Sequence, residues 1–197
     1  MLIFHKMATR CYRVIFLLLW LTTYLGFVTP DSSHAQNAII EDFFVNNSET
    51  HLLLYMTVQD CFTEEMITGI NNGIPATFTF YVDLYRTKKA WPDRKMISHV
   101  FNRTINYDTL KEEYSIISSE NTKNMTTKSL AQGKTLMSRL SDYKIIPLNQ
   151  LDSDVTYKVR VKVKLAKKTL PLYFHYLIPF SSLWDFETKW HTLEFRL

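Results

Sequence analysis

Apolar and polar side chains alternate most cleanly between Val155 and Leu165. Val155, Tyr157, Val159, Val161, Val163 and Leu165 fall on one side; Thr156, Lys158, Arg160, Lys162 and Lys164 fall on the other. A period of two is the signature of a strand with one buried face. Burying the apolar set gains roughly 9–18 kcal/mol gross, at ~1.5–3 kcal/mol per side chain. A one-residue slip would bury the cations instead, so the register is fixed. The same alternation sets Phe78, Phe80, Val82 and Leu84 against Thr77, Thr79, Tyr81, Asp83 and Tyr85, a second strand over 77–86. Weaker patterns predict strands at 37–46, 51–59, 96–106, 113–118, 172–180 and 189–196.

Between two of these strands stands Trp91-Pro92-Asp93. Proline cannot donate to a central ladder and Asp favours a bend, so this is a turn. It joins 77–86 to 96–106 as a long hairpin whose tip is basic, with Lys88, Lys89, Arg94 and Lys95 around it. Two segments break the period of two. Residues 63–71 end at Asn72-Gly73, a helix C-terminal signal, with Pro75 beyond. Residues 127–141 place Leu130, Leu136, Met137 and Leu140 on one helical face, suited to covering a sheet. Gly133 in its middle costs a helix ~1 kcal/mol relative to Ala. Many short antiparallel strands with one or two short covering helices predict a mainly β fold, an antiparallel β-sandwich with an immunoglobulin-like layout.

The start of the chain follows a different rule. Lys6, Arg10 and Arg13 precede the uncharged run 14–28, VIFLLLWLTTYLGFV, and Ser33-His34-Ala35 follows it. A positive segment, an apolar segment and small residues at a cut site make a signal peptide. Fifteen residues at 1.5 Å rise reach about 22 Å, short of the ~30 Å hydrocarbon core. The expectation is a leader over 1–35, cleaved or kept as an anchor to the inner membrane through 14–28, and one domain over 36–197. That predicts an exported, periplasmic protein. Without Cys11 the domain keeps only Cys61, so it holds no internal disulfide and relies on its core.

Composition agrees with a packed β protein. Of 197 residues, 46% are hydrophobic and 14% aromatic, enough for a core and too many for a disordered chain. Four Gly and six Pro exclude collagen-like and low-complexity chains. Charge is unevenly placed. From Val155 to Trp184 there is no Asp or Glu, while Lys158, Arg160, Lys162, Lys164, Lys167 and Lys168 are all present. Four of these cations recur at every second residue, a row about 20 Å long at ~6.8 Å spacing. Beside it, 170–184 (LPLYFHYLIPFSSLW) carries no charge, with Tyr173, His175 and Leu177 on one face. A cationic row next to an aromatic, apolar strip suits an anionic membrane surface or an acidic partner. An exported chain does not meet the chromosome, so nucleic acid is not expected.

Catalytic chemistry is not expected either. His51, His99, His175 and His191 are far apart and Cys61 stands alone, whereas zinc sites draw on closely spaced His and Cys pairs. There is no Gly-x-Ser-x-Gly elbow and no phosphate-binding loop. Cys61 before the 63–71 helix reads as a small apolar filler. The paired acids Glu64-Glu65 and Glu112-Glu113 read as solvated faces. Neither a metal nor a cofactor is expected. An enzyme built from distant residues, for example converging around His99 and His175, is the third reading.

In order, the chain shows Gly73-Ile74-Pro75, Phe78-x-Phe80-x-Val82-x-Leu84-x-Arg86 and Trp91-x-Asp93. Ile105-Asn106-Tyr107-Asp108 with Leu110 and Tyr114, the basic strand from Tyr157, Leu170-Pro171, Trp184 and Trp190 follow. This order resembles the bacterial family called domain of unknown function 4390, over most of 37–197. The resemblance implies export and one β-rich domain, and supplies no catalytic residues. The expected function is a non-enzymatic exported module contacting an envelope protein or an anionic membrane surface. The alternative is a carrier of a hydrophobic ligand or lipid between sheet and helix. The oligomeric state is left open.

Overall fold

The computed structural model describes residues 38–88, 90–120, 124–166 and 186–197. Nine strands and two short α-helices follow one another along these residues. The strands are β1 (Ile39–Asn47), β2 (His51–Gln59), β3 (Ala76–Arg86), β4 (Arg94–Asp108), β5 (Glu113–Ser118), β6 (Met125–Thr127), β7 (Arg139–Pro147), β8 (Thr156–Leu165) and β9 (His191–Arg196). The helices are α1 (Glu64–Asn71) and α2 (Leu130–Ser138). All described residues belong to one compact unit. The leader, the expected strand at 172–180 and its apolar strip lie outside the described residues.

Every strand pairing is antiparallel, in two sheets. The smaller has the order β1-β2-β7 and the larger the order β6-β5-β4-β3-β8-β9. Each turns one face inward, onto a single hydrophobic core. From β2 come Leu52, Leu54, Met56 and Val58; from β3, Phe78, Phe80, Val82 and Leu84; from β8, Tyr157, Val159, Val161, Val163 and Leu165. This is the mainly β, two-layered arrangement that the alternation predicts. The sheet orders establish two antiparallel layers and no more specific immunoglobulin layout. The β3–β4 hairpin is also as expected, running in register from Ala76↔Ile105 to Arg86↔Arg94 with one irregularity near its tip.

α1 forms where predicted. Thr63 caps it by accepting from the Met66 N–H at 3.0 Å. Its end is a Schellman turn: the Gly73 N–H donates to Ile70 O and the Ile74 N–H to Gly69 O, both at 2.9 Å. Gly73 has φ +82°, a conformation that costs other residues a Cβ clash.

The expected 127–141 helix is a shorter α2, and this is a correction. Thr127 ends β6, and Arg139 and Leu140 already belong to β7. Ser129 caps α2, accepting from the Gln132 N–H at 3.4 Å. Leu140 is buried as expected, but from a strand. Gly133 has a packing reason: a Cβ there would lie 3.2 Å from Ile105 Cδ1, so its absence lets α2 sit close on the larger sheet.

Candidate functional site

The inward turn of Tyr157, Val159, Val161, Val163 and Leu165 forces Lys158, Arg160, Lys162 and Lys164 onto the outer face of the larger sheet. Across the ladder, Lys158 meets Tyr85, Arg160 meets Asp83, Lys162 meets Tyr81 and Lys164 meets Thr79. The cations do not stand bare. Arg160 lies 4.7 Å from the Trp190 ring and 5.8 Å from that of Tyr85; Lys162 lies 5.1 Å from Trp190 and 5.3 Å from Tyr81. Lys158 bonds Asp93 at 2.8 Å and Glu194 at 3.2 Å, and Lys162 bonds Glu187 at 2.6 Å. The side chains of Lys158 and Lys162 are only 23% and 19% exposed. The row has the predicted direction, while its counter-ions come from distant segments that the local charge pattern does not reveal. Lys164 makes no ion pair among the described residues. Lys167, Lys168, Tyr173, His175 and Leu177 lie outside the described residues.

Asp93 links this row to the β3–β4 tip. Its carboxyl is held below the usual carboxylate range, chiefly by the hydrogen bond from Lys158. The Lys158 amine is raised by its bonds to Asp93 and then Glu194. Neighbouring Asp83 is buried, which alone would push its carboxyl up. Bonds from Ser98 at 2.7 Å and Lys95 at 2.9 Å outweigh that and hold it below its ordinary value.

At the tip, Trp91 is 76% exposed. Around it, Arg86, Lys88, Arg94 and Asp154 line an open cleft of about 710 Å³. Arg86 is paired with Asp152 at 2.6 Å. Lys88 and Arg94 are exposed and make no ion pair among the described residues. The sequence marks this place as a basic turn. That the Trp91 ring is exposed is decided by its place in the turn between β3 and β4, beyond the last β3–β8 pair Arg86↔Tyr157.

A second group of ionisable side chains sits on the inward side of β4. The Arg103 guanidinium donates through Nη1 to Leu136 O at 2.9 Å and Arg139 O at 2.6 Å, and through Nη2 to Glu120. Their side chains are 9% and 13% exposed. Arg103 Nε and Glu120 Oε2 are buried without a partner among the described residues. His99 Nδ1 and the Tyr143 hydroxyl are 3.0 Å apart. Burial lowers the His99 imidazole and pushes the Tyr143 phenol up to about 12. Cys61 is buried, donates to Val58 O at 3.4 Å, and has its thiol pushed up to about 12 by desolvation. It is a poor nucleophile and fills space.

Among the described residues no three His, Cys, Asp or Glu side chains gather as metal ligands. Nor is any described helix long and apolar enough to cross a membrane. The chemistry on offer is ion pairing, hydrogen bonding and aromatic contact. Residues 35–194 match a family described as "Domain of unknown function (DUF4390)". No curated protein and no solved structure matches the chain.

Proposed function

Since the chain belongs to the family of domain of unknown function 4390, we propose, from its own geometry, that it is an exported, non-enzymatic module that docks on an anionic membrane surface. The exposed Trp91 between the unpaired cations Lys88 and Arg94 carries this reading. An indole prefers the boundary between headgroups and acyl chains, and flanking cations reach the phosphates. The row from Lys158 to Lys164 continues this surface away from the tip, tied to it by the Lys158–Asp93 pair. Export rests on the charged and apolar segments at the start of the sequence. The buried thiol of Cys61 and the scattered histidines support a role without catalysis.

No observation favours the ligand-carrier reading. Where α2 lies on the larger sheet, Ile105 and Met137 are fully buried and Gly133 makes close contact.

Vesicle flotation tests the proposal. The purified chain is expected to float with phosphatidylcholine vesicles containing phosphatidylglycerol and not with phosphatidylcholine alone, and to be released by salt. Each cation near such a surface contributes about 1 kcal/mol, so the double reversal Lys88→Glu with Arg94→Glu should weaken binding by at least about tenfold. Trp91→Ala should weaken it further. Equal flotation with both vesicle types, or indifference to the tip variants, would refute the docking role.

A further inference from the structure

The flank where β4 and β7 run out of neighbours lies beside the docking surface just described and shares Arg94 with it. β5 pairs with β4 only from Arg103↔Ser118 to Asp108↔Glu113. From Arg94 to Phe101, β4 has β3 on one side and no strand on the other among the described residues. The last bonds in the vacated lane belong to Asn102. Its N–H donates to Ser119 Oγ at 2.8 Å, and its carbonyl accepts from the Ser119 N–H at 2.9 Å. Backbone groups of alternate residues point to the same side of a strand. Ser98 and Val100 therefore turn their N–H and C=O groups into this lane, and His99 and Phe101 turn theirs toward β3.

β7 is an edge strand of the smaller sheet among the described residues. It lies over β4, as the His99–Tyr143 bond and the stacked Phe101 and Tyr143 rings, 4.8 Å apart, establish. Between the two edges lies a cleft of about 640 Å³, lined among others by His99, Ser119, Glu120 and Tyr143. Further along the same strands, Arg94, Met96 and Ile146 line a second cavity of about 290 Å³. Proteins usually cover an open strand edge or blunt it with proline or charge. Here the middle of the edge carries Ser98 and Val100, and Val100 is 58% exposed.

We infer that this flank takes up an extended peptide segment of a partner protein as an added strand, antiparallel to β4 in the lane that β5 vacates. Eight residues, Arg94 to Phe101, offer about 27 Å of edge at ~3.4 Å per residue. Main-chain bonds to Ser98 and Val100 supply affinity, and side-chain positions supply selectivity. An apolar residue of the peptide pairs with Val100 on the outer face. Toward its N-terminal end, a hydrogen-bond donor faces Glu120. Toward its C-terminal end, an acidic residue meets Arg94 and Arg86.

Two measurements on the intact chain test this. In hydrogen exchange without ligand, the Ser98 and Val100 amides should exchange freely while those of His99 and Phe101 are protected. Protection of all four would show the lane already closed and overturn the inference. A display library of random decapeptides is then selected against the chain. Recovered peptides should protect Ser98 and Val100, and should bind at least tenfold more weakly to Val100→Pro, which removes one donor from the lane and none from the β3 ladder. Binding should persist in Val100→Thr and in Lys88→Glu. Failure to recover any binder, or binders that leave these two amides unprotected, refutes the groove without touching the vesicle result. If Val100→Pro does not fold, the amide protection alone decides.

Discussion

Arg103 is the residue on which most of the inner polar chemistry turns. It faces the core, lies 5.5 Å from the Phe80 ring, and holds Glu120 together with two carbonyls where α2 passes into β7. Removing one member of a buried pair strands the other, so Arg103→Met should cost about 3–5 kcal/mol in urea unfolding. Adding Glu120→Leu should recover part of that loss. A double variant no more stable than the single one would show that the pair is not coupled. Asp83 makes a second residue-scale case. Its folded carboxyl titrates below its unfolded value of about 4, so its contribution is present above that pH and is lost as pH falls through the folded value. Stability measured from pH ~5 downward should therefore fall less steeply in Asp83→Asn than in the parent. Neither role is legible in the sequence. Arg103 sits among polar neighbours in a strand, and only the inward turn fixed by Phe101 and Ile105 shows it to be buried.

Among the elements, those with an unbroken period were readable to within a few residues. β2 and β5 have the predicted limits, and β8 begins one residue later than expected. β7 was not readable, because its period is interrupted. Its register with β2 shifts between Leu54 and Met56, and Asp142 there has φ +59°. The same device occurs on the other neighbour of β2, where β1 shifts between Glu41 and Phe44 and Asp42 has φ +50°. In the β2–β7 ladder a second shift falls between Leu52 and Leu53, so Leu140 and the adjacent Ile145 and Ile146 all reach the core and no single period of two runs through the strand. Without that knowledge the apolar spacing of Leu136, Met137 and Leu140 continues a helical pattern past its true end. The α1 terminus, by contrast, is written locally in Asn72-Gly73. Gly73→Ala should destabilise the fold by about 1–2 kcal/mol through the left-handed backbone alone. Thermal unfolding checks this, and an unchanged midpoint would mean that the turn relaxes without loss.

At the scale of the molecule, two sheets share one core and leave two different surfaces to solvent. The outer face of the larger sheet balances its cations with Asp83, Asp93, Glu187 and Glu194, and tiles them with Tyr81, Tyr85 and Trp190. Partly sheltered pairs of this kind are weaker attractors for an outside charge than the bare row that the sequence suggests, since Lys158, Arg160 and Lys162 already have near partners. Among the described residues, Lys88 and Arg94 at the β3–β4 tip around Trp91 are exposed cations without an ion pair. The flank between β4 and β7 is different in kind, because what it offers is backbone.

The sequence alone determined which side chains turn inward. Alternation in β2, β3 and β8 leaves no other face to bury, and hydrophobic burial acts on local pattern. It also determined the hairpin tip and the C-terminal signal of α1, which depend on neighbours only a few residues away. Tertiary structure decided what each outward side chain meets. Lys158 finds Asp93 and Glu194, Arg103 finds Glu120, and β4 outruns β5, each through segments distant in the chain. Those encounters depend on strand order and strand length, and no local periodicity encodes either.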